Sequence, residues 1–213
     1  IITPWNFPFG MPWTLLVPAL LGGNGVVFKP TEIAPRTGLE MAQIFNKFLP
    51  AGLLQVVVGD GQQGAAMVDA EVDLIAFVGS RETGKAIMKA ASRRAVRVLL
   101  EMGGKDPMIV ASDADLDKAA KYAAVAANRN TGQVCVSVER IYVERSAENE
   151  FVAKLKTEIE KVDLADGDGE GLKIGPFASE AQRQHVEKQV AQATEEGASV
   201  LLGGKRIERD GYW

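Results

Sequence analysis

Short apolar runs alternate with amphipathic stretches through the first half of the chain. The runs are rich in Val, Ile, Leu and Phe and predict strands at 26–28, 54–58, 74–78 and 96–101, while Ile1 and Ile2 are predicted to end a further strand. Between them, apolar residues recur at helical spacing and predict helices at 11–21, 37–48, 63–68 and 83–91. This alternation predicts an α/β fold in which a Rossmann-like parallel sheet carries helices on both faces.

The pattern changes after residue 101. A turn-rich segment at 102–107 precedes predicted strands at 108–111, 139–144 and 200–202, predicted helices at 116–128 and 179–196, and an acidic, glycine-rich loop at 163–171. Ser146 is the predicted N-cap of another helix, whose apolar face comprises Phe151, Val152, Leu155, Ile159 and Val162. The sequence therefore predicts two domains, at 1–101 and 102–213, the second being part of another α/β domain.

Composition and charge narrow the class of protein. The 213 residues, of which 46% are hydrophobic, fit one or two globular domains. The 28 acidic residues outnumber the 24 Lys and Arg and give a formal charge of −4, which argues against a nucleic-acid partner. The apolar stretch at 11–21 contains Pro12 and Pro18 and is too short to cross a bilayer, so we expect no membrane partner. Because the chain begins without Met and ends without a change in composition, we expect a piece of a longer protein, and we find no secretory leader pattern.

The chain has one His and one Cys, which excludes a multi-histidine metal centre, a zinc knuckle and an internal disulfide framework. We therefore expect no metal. A single thiol suits a reducing compartment and predicts a cytoplasmic protein. His185 lies among polar residues of a predicted surface helix, and we interpret it as solvated.

Two glycine-rich turns each follow a predicted strand and open a predicted helix. The first, at 59–64, reads Gly-Asp-Gly-Gln-Gln-Gly, like the fingerprint whose glycines let the backbone approach the pyrophosphate of a dinucleotide. That fingerprint needs an acid at the end of the next strand, whereas Asp73 precedes it, so a plain tight turn fits as well. The second, at 79–84, reads Gly-Ser-Arg-Glu-Thr-Gly; either its backbone N–H groups and the Ser80 hydroxyl hold a phosphate, or it is an ordinary turn.

Two side chains allow either a structural or a chemical role. Cys135 lies between a predicted helix and a predicted strand; it is either a small buried hydrophobe or a nucleophile that Gly132 lets approach a ligand. Glu101 ends an apolar strand, where a carboxylate is either paired with a cation or held as a general base. The residues alone leave both alternatives open.

Two further segments present polar groups after apolar ones. Asn6 lies in Pro-Trp-Asn-Phe-Pro at 4–8, where its amide either caps a turn or donates a hydrogen bond towards developing negative charge. Lys29 and Glu32 belong to Lys-Pro-Thr-Glu, directly after a predicted strand. This segment is either an exposed turn or a cation and a carboxylate at the sheet edge where α/β folds bind ligands.

Taken together, five motifs resemble those of the aldehyde dehydrogenase superfamily, in that family's order and at its approximate spacing. They are Pro-Trp-Asn-Phe-Pro at 4–8, Lys-Pro-Thr-Glu at 29–32, Phe-Val-Gly-Ser with Gly84 at 77–84, Leu-Glu-Met-Gly-Gly-Lys at 100–105 and Gly-Gln-Val-Cys at 132–135. Each motif alone is weak to moderate, and the ordered set is highly specific. The resemblance covers essentially the whole chain, which itself covers less than half of a typical family member.

The resemblance implies NAD(P)-dependent oxidation of a small-molecule aldehyde to a carboxylic acid through a cysteine thiohemiacetal and thioester. It implies that Cys135 is the nucleophile, Glu101 the general base and Asn6 the side-chain donor of the oxyanion hole. It also implies an NAD(P)-binding domain at 1–101, part of a catalytic domain at 102–213, and a complete protein that is a homo-oligomer. We expect the fragment alone to be inactive.

The resemblance also implies a set of cofactor-binding residues. Those matched to the adenosine ribose are Lys29 and Glu32, those matched to the pyrophosphate turn are Gly79, Ser80 and Gly84, and those matched to the cleft wall are Ile2, Trp5 and Gly59. Glu32 can accept hydrogen bonds from both ribose hydroxyls and would repel a 2′-phosphate, whereas Lys29 could attract one. We therefore expect NAD, with NADP as the alternative.

The chain departs from the family pattern at Met102, where Leu is commoner, at Val78, where Thr is frequent, and at 136–139 after the nucleophile. Two other functions stay open. A CoA-acylating aldehyde dehydrogenase would pass the acyl group to a thiol, but a water-activating Glu101 suits hydrolysis better. A catalytically silent homologue would be a binding or structural protein, but Cys135, Glu101 and Asn6 are all intact.

Overall fold

The computed structural model describes residues 1–164, 173–209 and 211–212, and the chain divides into Ile1–Gly103 (unit 1) and Gly104–Trp213 (unit 2). Strands and helices alternate strictly in unit 1, as the sequence predicts. The strands are β1 (Val26–Phe28), β2 (Leu54–Val56), β3 (Leu74–Gly79) and β4 (Arg97–Met102). The helices are α1 (Gly10–Leu21), α2 (Pro35–Asn46), α3 (Gly61–Asp69) and α4 (Arg81–Ser92).

The first three residues of the chain join two pairs of parallel strands. β1 pairs with β2 and β3 pairs with β4, both in parallel. Ile2 forms parallel bridges to Lys29 beyond β1 and to Phe77 in β3. Its backbone N–H donates to the Ala76 carbonyl at 2.9 Å, and its carbonyl accepts from the Val78 N–H at 3.1 Å. The backbone therefore crosses the sheet in the order 54–56, 26–28, 1–3, 74–79, 97–102, and the strand-like role predicted for Ile1 and Ile2 lies at its centre.

Helices cover both faces of this sheet, which confirms the predicted doubly covered architecture. Ile1 packs against a core from α1, α2, β1 and β2, composed of Leu16, Val26, Phe28, Met41, Ala42 and Leu54. Ile2 packs against a core from α3, α4 and β3, composed of Val68, Ile75, Phe77, Ile87 and Ala91. Since successive strand residues point to opposite faces, Ile1 and Ile2 connect the sheet to both cores.

β4 corrects one expectation. The apolar run at 96–101 is predicted as a strand of a sheet with helices on both faces, but the burial of β4 alternates. Val98 and Leu100 pack against the core beside α4, whereas Leu99 is 46% exposed and Glu101 is exposed. Within the described residues, a helix covers only one face of this strand, so an apolar run did not establish burial here.

Close packing of α2 on β1 yields a stability prediction. A Cβ built on Gly38 would overlap the Pro30 ring and lie 3.3 Å from Phe28 Cε1, whereas one on Gly61, the first residue of α3, meets nothing within 4 Å. An alanine in a helix is ordinarily more stable than glycine. We nevertheless expect Gly38→Ala to lower the free energy of unfolding by about 1–3 kcal/mol through overpacking, and Gly61→Ala not to lower it. Urea unfolding of both variants measures the difference, and equal midpoints would contradict the packing described.

Among its described residues, unit 2 contains two separate two-stranded parallel sheets and two helices packed together. Its elements are β5 (Asp106–Val110), α5 (Leu116–Asn128), a short turn (Arg129–Gly132), β6 (Val138–Val143), α6 (Glu148–Glu160), β7 (Asp163–Leu164), β8 (Lys173–Ile174) and α7 (Glu180–Glu195). β5 pairs with β6 and β7 with β8, all in parallel. The core between β5, α5 and α6 consists of Val110, Ala120, Ala123 and Phe151 with their apolar neighbours.

Two predictions for unit 2 change, and a third lies mostly outside the described residues. Ser146 lies in a turn closed by the Ala147 N–H donating to the Glu144 carbonyl at 2.9 Å, so Ala147, and not Ser146, precedes α6. Residues 200–202 are exposed and, within the described part of the chain, form no strand, because they have no strand partner there. Of the acidic loop predicted at 163–171, residues 165 onward lie outside the described residues.

Candidate active site

A cavity of about 530 Å³ lies in unit 1 at the carboxyl ends of three neighbouring strand segments. Residues 4 and 5 follow the central segment at 1–3, Lys29 follows β1, and Ser80 follows Gly79, the last residue of β3. From the central segment the chain goes first to β1 and β2 on one side, and later to β3 and β4 on the other. A reversal of this kind opens a crevice at the carboxyl edge, where open α/β sheets bind ligands.

Six of the predicted cofactor-binding residues line this cavity, namely Ile2, Trp5, Lys29, Glu32, Gly79 and Ser80. Gly59 and Gly84 do not line it, and the structure gives each a packing role. Gly59 has a φ of +155° and leaves no room for a Cβ beside the Gln63 side chain. A Cβ on Gly84 would lie 2.5 Å from Met102 Sδ, so this glycine lets α4 approach β4 closely.

Lys29 is a buried cation at the cavity. It is 4% exposed, and its Nζ donates to Glu32 Oε2 and to the Pro30 carbonyl, both at 3.3 Å. Glu32 keeps about half of its side chain in solvent. Buried charges need such polar partners, and this one therefore presents a fixed positive charge beside a carboxylate at the sheet edge. The alternative of an exposed turn does not hold for Lys29.

Two helix N-termini meet the cavity, and they are capped differently. Asp60 caps α3: its Oδ1 accepts from the Gln62 N–H at 2.8 Å, and its own N–H donates to Gln63 Oε1 at 3.0 Å. Ser80 caps α4, where its Oγ accepts from the Thr83 N–H at 3.2 Å. A helix N-terminus favours an anion. At α3 a carboxylate already takes that place, whereas the cap of α4 is uncharged.

The faces of α3 and α4 form the apolar wall of the cavity, which motif analysis missed. The lining residues on α4 are Thr83, Ala86, Ile87, Ala90 and, at the helix end, Arg93. Their spacing of three and four residues is that of one helix face, with small side chains where a ligand would lie. The same spacing is present in the sequence and could have identified these α4 residues.

Glu101 and Asn6 also lie in unit 1. Glu101 pairs in register with Val78, a cavity-lining residue, so its carboxylate belongs to the same carboxyl edge one strand further out. It is exposed, and none of the ion pairs among the described residues includes it. Asn6 is half-buried in the bend between the central segment and α1. The salt-bridge alternative for Glu101 therefore has no support within the described residues.

Cys135 lies in unit 2, in the loop between Gly132 and β6. It is half-buried and belongs to none of the hydrophobic clusters of the described residues. Its carbonyl accepts from the Gly104 N–H at 3.3 Å. Two residues further on, the buried Ser137 hydroxyl lies 3.2 Å from the Ala126 carbonyl at the end of α5. The thiol is therefore partly exposed and lies outside these hydrophobic clusters, so the alternative of a fully buried hydrophobe does not hold.

Fold and cavity together define a doubly wound α/β protein with a ligand crevice at its topological switch point. The family model "Aldehyde dehydrogenase family" matches residues 1–213. This chain belongs to the aldehyde dehydrogenase family, which confirms the resemblance.

Individual proteins and solved structures support the same family. The chain is 40% identical to 4,4'-diapolycopene aldehyde oxidase of Methylomonas sp, aligning 100% of this chain with 41% of that protein. The structure of lactaldehyde dehydrogenase from Escherichia coli matches 100% of this chain and 45% of its own, with a TM-score of 0.95 and 38% identity. PnpE in complex with nicotinamide adenine dinucleotide matches 98% of this chain and 44% of its own, with a TM-score of 0.93 and 33% identity. The chain thus spans less than half the length of each.

Proposed function

We propose that this chain is part of an NAD-dependent aldehyde dehydrogenase, which oxidises an aldehyde to a carboxylic acid. The observation that carries the proposal is the cavity of unit 1, where six residues chosen from sequence motifs meet at one switch point. Its volume of about 530 Å³ lies within the usual range for small-molecule sites. Membership of the family and the similarity to PnpE, solved with nicotinamide adenine dinucleotide, support the same ligand.

The chemistry of the cavity fits a dinucleotide along its length. Lys29 and Glu32 offer a donor and an acceptor to ribose hydroxyls. The N-terminus of α4, whose cap Ser80 is uncharged, would hold the pyrophosphate, because Asp60 already places a carboxylate at the N-terminus of α3. The apolar faces of α3 and α4 would receive the adenine. When bound, the dinucleotide supplies the hydride acceptor of the reaction.

The preference for NAD follows from the pair at the ribose position. Glu32 would repel a 2′-phosphate, and Lys29 is not a spare cation, because its Nζ already contacts the Glu32 carboxylate and the Pro30 carbonyl. A phosphate arriving here would meet a neutralised pair with an exposed carboxylate in front. We therefore propose NAD as the main cofactor.

The chain's own residues would carry the covalent steps. The Cys135 thiolate adds to the aldehyde carbon and forms a thiohemiacetal, whose oxygen accepts a hydrogen bond from the Asn6 amide. Loss of hydride from that carbon leaves a thioester on Cys135. Glu101 takes a proton from a water molecule, whose oxygen attacks the thioester carbon and releases the carboxylic acid and the thiolate. A covalent intermediate thus divides the oxidation into two easier steps.

A paired substitution tests the cavity. In the complete protein, we expect Lys29→Met to raise the Kd for NAD about tenfold, the usual size for a lost hydrogen bond to a charged group. Lys85→Met removes the same charge from an exposed position of α4 that does not line the cavity, and we expect it to leave the Kd unchanged. Calorimetric titration gives both values, and equal Kd values for the two variants would overturn the assignment of the cavity.

A panel of aldehydes with NAD, NADP or added CoA, followed by absorbance of the reduced cofactor, tests the activity itself. We expect oxidation with NAD and without CoA. Turnover that requires CoA would favour the acylating enzyme, and NAD binding without turnover of any aldehyde would favour the silent homologue.

We propose a cytoplasmic protein, because a single cysteine without a disulfide partner suits a reducing compartment. The homo-oligomer implied by the resemblance is proposed for the complete protein. Among the described residues, no helix has the length and hydrophobicity to cross a membrane, and no cluster of three His, Cys, Asp or Glu side chains could hold a metal ion.

A further inference from the structure

The segment that precedes Cys135 has an unusual backbone. Asn130, Thr131 and Gly132 have φ values of +51°, +59° and +71°, so three consecutive residues are left-handed. Glycine takes this conformation readily and asparagine tolerates it, but a β-branched residue such as threonine rarely does. A conformation of this kind persists only where surrounding contacts hold it.

Two side chains of this segment make those contacts, and both reach the same distant stretch of chain. The Thr131 hydroxyl donates to the Gly175 carbonyl at 3.0 Å. The Ala178 N–H donates to Gln133 Oε1 at 3.0 Å, and Gln133 Nε2 donates back to the Asn130 carbonyl, also at 3.0 Å. Both long-range hydrogen bonds are partly buried, and they fasten the turn before Cys135 to residues 175–178, between β8 and α7.

The other side of Cys135 is fastened to different elements. Ser137 is buried, and its hydroxyl lies within hydrogen-bond distance of two carbonyls at the end of α5, those of Ala126 and Ala127. The carbonyl of Cys135 itself accepts from Gly104 N–H. The thiol therefore lies between two anchors, and the side chains of Thr131 and Gln133 connect its loop to residues 175–178.

We propose that Thr131 and Gln133 are positioning residues that hold the Cys135 thiol in its reactive orientation by tying its loop to residues 175–178. The proposal rests on the proposed role of Cys135 as the nucleophile. Thr131 is informative because its side chain opposes its backbone conformation: the hydroxyl makes the hydrogen bond while the β-branch disfavours the left-handed φ. A residue chosen only for a tight turn at this position would be glycine or asparagine.

Two substitutions of Thr131 separate the hydroxyl from the β-branch. Valine keeps the branch and loses the hydroxyl, and serine keeps the hydroxyl and loses the branch. In the complete protein, we expect Thr131→Val to slow alkylation of Cys135 by iodoacetamide about tenfold across the pH profile, and Thr131→Ser to stay within about twofold of the unaltered protein. The NAD affinity should not change, because all residues that line the cavity belong to unit 1.

A second pair of variants keeps the test decisive if Thr131→Val folds poorly. Gln133→Met removes both hydrogen-bonding groups at similar size, and we expect the same slowing. Ser179→Ala removes the N-cap of α7, which follows residues 175–178. It destabilises the start of that helix but leaves the hydrogen bonds of Thr131 and Gln133 in place. Slowing by Thr131→Val or Gln133→Met but not by Ser179→Ala supports the proposal. Unchanged alkylation in both loop variants, or equal slowing by Ser179→Ala, overturns it.

A failure of the proposed function and a failure of the positioning role give different experimental results. A complete protein whose turnover survives Cys135→Ser would refute the nucleophile assignment whatever the loop variants do. If turnover is lost in Cys135→Ser and yet alkylation is insensitive to Thr131→Val and Gln133→Met, the nucleophile stands and the positioning role fails.

Discussion

Cys135→Ser is expected to abolish aldehyde oxidation by the complete protein, lowering kcat by at least about 10³-fold. Serine has almost the size of cysteine, but its hydroxyl gives up a proton far less readily than a thiol, and the loop offers no adjacent His to take that proton. The one histidine of the chain, His185, is exposed on α7, as its polar surroundings predict.

Dinucleotide binding provides the internal control for this variant. The cavity is lined by residues of unit 1 only, so the Kd of Cys135→Ser for NAD should stay within about twofold of the unaltered value. Reduced-cofactor absorbance and calorimetry measure the two quantities. Retention of more than a few per cent of the turnover would show that another group attacks the aldehyde.

Glu101→Gln should leave the first turnover largely intact and slow all later ones. The proposed base is needed to activate water for hydrolysis of the thioester, and removal of a general base costs about 10²–10⁴-fold. We therefore expect a rapid burst of reduced cofactor, close to one per active site, followed by a steady rate at least about 100-fold below normal. Rapid-mixing absorbance resolves the two phases.

The position of Glu101 allows its substitution without an expected loss of stability. Its side chain is exposed and, within the described residues, forms no ion pair, so the isosteric glutamine should not alter the melting temperature. Glu40→Gln, an exposed carboxylate of α2, is the matched control and should keep both phases. Equal loss of burst and steady rate in Glu101→Gln would point to a structural role for the carboxylate.

The sequence predicted those features that depend on local periodicity. The helix at Leu116–Asn128 and the strand at Val26–Phe28 appear at the predicted bounds, because their hydrophobic spacing is regular and their ends are marked by capping or turn residues. Six of the motif residues of unit 1 line one cavity, because strand ends of a parallel sheet share an edge.

Features set by distant contacts could not be predicted in this way. The exposure of Leu99 and Glu101 depends on what covers the outer face of β4, which an apolar run does not specify. The left-handed φ of Thr131 contradicts its intrinsic preference and depends on Gly175, far along the chain. The residue that precedes α6 is Ala147 and not the predicted Ser146, because a turn closed by the Ala147 N–H and the Glu144 carbonyl fixes where the helix begins.

The covalent intermediate provides the most direct measurement. The complete protein, and its Glu101→Gln variant, would be mixed with an aldehyde and NAD, quenched in acid, digested and weighed by mass spectrometry. We predict that the peptide containing Cys135 gains the mass of the aldehyde less two hydrogen atoms, and that this acylated peptide accumulates in Glu101→Gln. An unmodified Cys135 peptide in both proteins, while reduced cofactor forms, would contradict the thioester and with it the proposed role of Cys135.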